Sequence, residues 1–178
     1  MLHHNFINID LNLLIDIDDI PSKELDKLEP MNVDYVPWLY ERKYGFKNDL
    51  TFVDGRGKWL LFFDKSIMNE KWSIVKNLFR NNNFFGIEFI KCSTNYIGEN
   101  IPNNHLGVIS FYSLADHKDV IMNIGSNIIT LLNYTTMDTI YYKTDQLTKN
   151  GNRINGSIFN YKYKLINHLF TDNLFIDD

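Results

Sequence analysis

Only one cysteine, Cys92, stands in this chain, which excludes an internal disulfide and fits a reducing compartment. Long apolar runs are missing as well, none approaching the roughly 18 residues that cross a bilayer as a helix. The start, Met-Leu-His-His-Asn-Phe, lacks the basic flank and small-residue cleavage site of a secretory signal. These absences lead to the expectation of a cytoplasmic protein with no membrane segment. Positive charge is scarce too. Against 22 Asp and Glu, the 18 Lys and Arg leave a net charge of -4, which argues against broad coating of nucleic acid. Alanine occurs once, at Ala115, while Asn and Ile are frequent, a bias of AT-rich coding such as protists and large DNA viruses carry.

Catalytic patterns are thin in the same way. His105 and His117 lie in loop-like stretches without metal-ligand spacing, and His3-His4 has no second cluster nearby in sequence. Ser93, Ser110 and Ser113 lack the context of a nucleophile elbow. No glycine-rich phosphate loop or paired-carboxylate motif stands out. A binding protein without metal, cofactor or catalytic residue is therefore expected, rather than an enzyme.

What is present is enough apolar chain for a core: 178 residues, 44% hydrophobic, with 13 Phe and 10 Tyr. One domain over residues 1–178 is expected, with a tail at 170–178 free to fray. Phe6–Ile17 alternates apolar and polar residues as a strand does, and Pro21 and Ser22 open a short helix that Pro30 closes. Met31–Gly57 has no sustained period and reads as a long irregular connection, with a short strand at Leu50–Val53. Lys58–Asp64 (KWLLFFD) is the clearest buried strand. Met68, Trp72, Val75 and Phe79 then recur at helical spacing in a segment running from about Ser66 to Arg80.

Phe84–Cys92 and Leu106–Tyr112 read as a hairpin, and Asp116 as the cap of a second helix whose buried face holds Val120, Ile121, Ile124, Ile128 and Leu131 or Leu132. Met137–Tyr142 and Ser157–Leu165 are the last strands. Adjacent hairpins imply a largely antiparallel sheet with helices on one face, an α+β fold. The other face is then solvated, concave, or the carrier of ligand loops.

One stretch points to what that ligand is. Tyr141–Ser157 begins as a β-branched and aromatic strand end and turns into a polar loop carrying Lys143, Lys149 and Arg153. A sheet fixes the roots of such a loop while its tip stays in water, which is where binding groups concentrate. Three cations there, in an acidic protein, suggest an anionic ligand; a solvated hairpin loop is the plainer alternative.

Several short motifs recur here in a fixed order. Gly57-Lys58-Trp59 leads into an apolar strand, and Trp72 sits inside the following helix. Ile90-Lys91 ends a strand, Gly107–Phe111 returns as its hairpin partner, and an acid-led helix starts near Asp116. Thr148-Lys149-Asn150-Gly151 closes the series. In this order the run from Gly57 to Asn160 resembles the 4E family of messenger-RNA cap-binding translation initiation factors. It is also similar to the basophilic-leukaemia-expressed family of the same fold, through Lys91–Thr94 and Tyr142–Asp145.

The resemblance implies a single curved, mostly antiparallel sheet with about three helices packed on its convex face and a cap pocket on the concave front. It implies capped mRNA as ligand and an initiation scaffold protein on the helical face of a monomer. A 7-methylguanosine ring is cationic, so two aromatic faces hold it by stacking and cation–π attraction. A carboxylate accepts from its Watson–Crick edge, and Lys or Arg takes the triphosphate. Either Trp38 with Glu41 or Phe46 with Asp49 matches the family's first stacker and acid. No Trp stands where the second stacker is expected; Phe6 is the aromatic there, and ordinary strand core is its plainer reading. Lys58, Lys91, Lys143, Lys149 and Arg153 are the phosphate candidates. The same fold serving only protein contacts, or a nucleotide-processing enzyme using His105 or His117, are the alternatives.

Overall fold

The chain is organised outward from its most apolar strand. In the computed structural model, which describes residues 27–43, 56–97, 105–149, 161–166 and 169–172, Arg56–Asp64 is the central strand, β2. Its side chains alternate with period two, so Gly57, Trp59, Leu61 and Phe63 point into the core and Lys58, Leu60 and Phe62 point the other way. Leu106–Leu114 (β4) pairs with one edge of β2, and Thr139–Thr144 (β5) with the other. Phe89–Ser93 (β3) and Trp38–Arg42 (β1) extend the sheet beyond β4; Tyr163–Ile166 (β6) and Leu169–Asp172 (β7) extend it beyond β5. The order is β1-β3-β4-β2-β5-β6-β7 with every pair antiparallel, a single open sheet.

Two long helices cover one face. Met68–Arg80 (α1) follows a 3-10 turn at Lys65–Ile67, whose entry is fixed by Asp64 Oδ1 accepting from the Ser66 N–H at 2.8 Å. Its apolar stripe, Met68, Trp72, Val75 and Phe79, is buried throughout. Lys118–Leu132 (α2) buries Ile121, Ile124 and Ile128, and stops at Asn133 in the left-handed conformation, φ 44°. The α+β architecture expected from the element order is thus the one observed. A short third helix, Asp145–Lys149 (α3), continues directly from β5.

Trp59 locks α2 to the sheet. It is fully buried, and its indole Nε1 donates to the Ile121 carbonyl at 3.0 Å. The approach is close enough that a Cβ on Gly125 would lie 2.7 Å from the indole ring, so only glycine fits at that turn of α2. Gly57 has a comparable reason: a side chain there would run into the Tyr142 phenol of β5. Beyond Leu60, where β5 stops pairing, Tyr134 completes the β2 edge. Its oxygen accepts from the Phe62 N–H at 3.1 Å and donates to the Phe62 carbonyl at 2.8 Å.

Several boundaries differ from the sequence expectations. Trp38 lies in a strand, β1, and not in an irregular connection. The strand expected at Phe84–Cys92 runs only from Phe89 to Ser93, because Asn82 and Gly86 take positive φ and carry the chain through turns first. Asp116 does not cap α2; His117 holds the N-cap position without a side-chain bond. Val120 is exposed and not on the buried face of α2. The polar loop after β5 begins as helix α3, since Thr144 Oγ1 accepts from the Leu147 N–H at 3.2 Å and Thr148 Oγ1 donates to the Thr144 carbonyl at 3.0 Å. Leu169–Asp172 forms β7 inside the stretch expected to fray from 170. Phe6–Ile17, most of the expected Ser22–Glu29 helix and Leu50–Val53 lie outside the described residues; Lys27–Glu29, the described end of that helix, is not helical.

Candidate functional site

The face of the sheet turned away from α1 and α2 carries an unusual lattice of cations and rings. Register places Arg42, Phe89, Tyr112, Lys58 and Lys143 side by side across β1, β3, β4, β2 and β5. The adjacent row holds Tyr40, Lys91, Ser110, Leu60 and Tyr141. Period-two alternation explains why: each of these residues is an even step from the others on its strand, and the core-facing positions between them are apolar or glycine in β2 and β3.

Within that lattice the rings are packed and the cations sit on them. Phe89 and Tyr112 stack with centroids 4.1 Å apart and planes 16° from parallel. Lys91 Nζ lies 3.8 Å from the Trp38 ring centroid, and 5.9 Å from those of Tyr40 and Tyr112. Lys58 Nζ lies 5.0 Å from the Tyr112 centroid and donates to Asp145 Oδ1 at 3.1 Å. Arg56 and Arg42 lie over Phe89 and Tyr40 at 5.6 and 5.7 Å.

The electrostatics of Lys91 and Lys58 are coupled. Burial and the neighbouring Lys58 depress Lys91 from 10.5 to about 8, against the opposing pull of Asp145. Burial lowers Lys58 as well, again opposed by Asp145. Burial raises both Tyr40 and Tyr112, so their rings stay neutral phenols. Among the described residues, Lys58 and Lys91 therefore share the influence of Asp145 on a partly desolvated surface. An incoming anion relieves the repulsion between them and replaces lost hydration.

No protein-family model matches the chain, and no curated protein matches it. Solved structures do. A schistosome eIF4E complexed with m7GpppA and 4E-BP matches with a TM-score of 0.58 at 18% identity, over 84% of this chain and 81% of that one. C. elegans eIF4E-3, in complex with the 4E-binding protein Mextli and a cap analog, gives 0.57 at 16% identity, over 74% and 76%. Ascaris suum eIF4E-3 with m7G cap gives 0.54 at 15% identity, over 80% and 77%.

This is the 4E fold. At these identities the likeness carries architecture, and residue roles have to come from the chain's own geometry.

On the 4E sheet of this chain, Trp38, Lys58, Lys91 and Lys143 all lie on the open face. Lys91 lies mid-strand, however, with its ammonium on Trp38 and not at a strand end facing solvent. Glu41, paired with Trp38 in the sequence reading, alternates onto the opposite face, where Arg80 of α1 grips both its oxygens at 2.9 and 2.7 Å. Lys149 is the last residue of α3. Phe6, Phe46, Asp49 and Arg153 lie outside the described residues.

Sequence reasoning missed Tyr40, Phe89, Tyr112 and Asp145. Tyr40 was detectable as the residue two beyond Trp38 in a strand; Asp145 is 87 positions from Lys58, and nothing local marked the pair. His105 and His117 are both exposed, and among the described residues no group of three His, Cys, Asp or Glu could hold a metal. No helix among the described residues is long and apolar enough to cross a membrane.

Proposed function

We propose that this chain binds the 5′ 7-methylguanosine cap of mRNA on its open sheet face and acts as a non-catalytic factor in translation initiation. The observation that supports this best is the pairing of an aromatic platform, Trp38 with Tyr40, to a lysine cluster whose charge is only partly balanced. Trp38 offers the stacking face for the methylated base, with Phe46 or Phe6 as the second. With Glu41 turned to the helices, Asp49 is the acid left for the base edge. Lys91, Lys58 and Lys143 take the phosphates, joined by Lys149 and Arg153 from the segment after β5. Asp145 keeps Lys58 extended across the face.

The proteins bound in the matched structures, 4E-BP and Mextli, extend the reading: a 4E-binding scaffold docks on this chain as a monomer, on its helical side, in the cytoplasm. Titration with m7GTP and with GTP, followed by tryptophan fluorescence, tests the cap reading. Preference for m7GTP by about tenfold or more supports it, since cation–π attraction is worth about 1–2 kcal/mol at a desolvated ring. Equal binding of both nucleotides, or of neither, sinks it and leaves the fold as a protein-contact module.

A further inference from the structure

Lys91 occupies the place that a cationic ligand ring would take. Its ammonium is 3.8 Å from the Trp38 centroid, and one aromatic face accepts one cation at contact distance. A base stacking on that face has to move Lys91 off it. The displaced ammonium then meets rings at Tyr40 and Tyr112, which lie at 5.9 Å, and a like charge at Lys58, whose repulsion already acts on it. Asp145, the acid that opposes this repulsion, is already committed to Lys58 by a 3.1 Å hydrogen bond.

We infer that Lys91 is an internal occupant of the Trp38 ring that makes base stacking and phosphate binding conditional on each other, selecting a nucleotide that is cationic in its purine and anionic in its phosphates. The inference rests on the cap-binding reading and adds the residue that enforces it. A cationic nucleoside without phosphate evicts Lys91 and brings no anion for it to meet. A neutral nucleotide draws Lys91 to its phosphates and leaves Trp38 without a cation. Only a ligand carrying both charges fills both vacated positions. The gain from adding both groups then exceeds the product of the separate gains, by about tenfold at the strength of one cation–π contact.

The test is a four-ligand cycle with guanosine, 7-methylguanosine, GDP and 7-methyl-GDP, run on the wild type and on Lys91→Met. In the wild type the two modifications are expected to be cooperative by about tenfold. In Lys91→Met no cation holds the ring, so 7-methylguanosine binds more tightly than to the wild type, the phosphate gain shrinks, and the cooperativity disappears. Additive gains in the wild type overturn the inference without any variant. So does cooperativity that survives in Lys91→Met, or a nucleoside affinity that does not rise. Lys91→Arg keeps a cation over Trp38 and is expected to keep the cooperativity; its loss there also overturns the inference. Should none of the four ligands bind, the cap reading itself falls; binding with additive gains refutes only the role of Lys91.

Discussion

The two faces of this sheet use the same residue types for opposite ends. On the helix-covered face, aromatic rings are fully enclosed and every polar contact is aimed at fixing position, as with Trp59 on Ile121 and Glu41 on Arg80. On the open face, rings of the same size lie under lysines and arginines, and Lys91 and Lys58 repel each other beside Asp145. Enclosed rings are held by close packing; open rings hold cations over their faces. The first arrangement specifies the fold, and the second is the one on which the proposed binding rests.

Breaking the enclosed face has the largest expected effect. Trp59→Ala removes a fully buried indole and its hydrogen bond, and is expected to lower unfolding free energy by about 3–5 kcal/mol in a urea titration. A loss under about 1 kcal/mol contradicts the assigned packing. Gly125→Ala comes next. Its new methyl meets Trp59 and Leu165 at 2.6–2.7 Å, so overpacking is expected to cost about 1–3 kcal/mol, read as a lower urea midpoint with unchanged slope. An unchanged midpoint shows that α2 sits farther from β2 than described.

The open face answers to pH instead. Lys91 has its folded pKa depressed from 10.5 to about 8, so between those values the unfolded chain binds more protons and the contribution of this group to stability rises with pH. Phosphate binding runs the other way, because the neutral amine no longer attracts an anion. Affinity for 7-methyl-GDP is expected to fall severalfold between about pH 7 and about pH 9 by calorimetry. Lys91→Arg, charged throughout, is expected to flatten that fall. A flat wild-type profile removes Lys91 from the anion site.

The smallest effect separates the faces most sharply. Lys91→Met exchanges a half-buried charge for an apolar chain of similar length. Its stability in urea is therefore expected to stay within about 1 kcal/mol of the wild type, or to rise. A loss comparable to that of Trp59→Ala makes Lys91 part of the structural frame and erases the distinction.

Much of the enclosed face was legible in the sequence, because burial imposes a period. The run Trp59-Leu60-Leu61-Phe62-Phe63 and the stripe Met68, Trp72, Val75, Phe79 announce a strand and a helix with no knowledge of their partners. β1 was hidden because Trp38-Leu39-Tyr40-Glu41-Arg42 spends both of its faces: rings on one, Leu39 and Glu41 on the other. Met31–Gly57 as a whole shows no sustained period, and only Arg80, 39 positions away, shows where Glu41 points. On the open face, single residues such as Lys58 and Lys91 could be named from motifs. Their state could not, because it is set by Trp38, Tyr112 and Asp145 from other strands and a later helix.

The Tyr134 phenol, bonded to both polar groups of Phe62, has a reach beyond its own two hydrogen bonds. It acts as a doorstop for β5. A strand sliding one residue farther along β2 would have to evict it, and a slide of one residue turns every side chain of the strand over. Tyr142 would then face water, and Lys143 would enter the core against Trp59. A tyrosine bonded to β2 therefore sets the phase of β5, and decides which of two neighbouring residues, Tyr142 or Lys143, is turned to the open face.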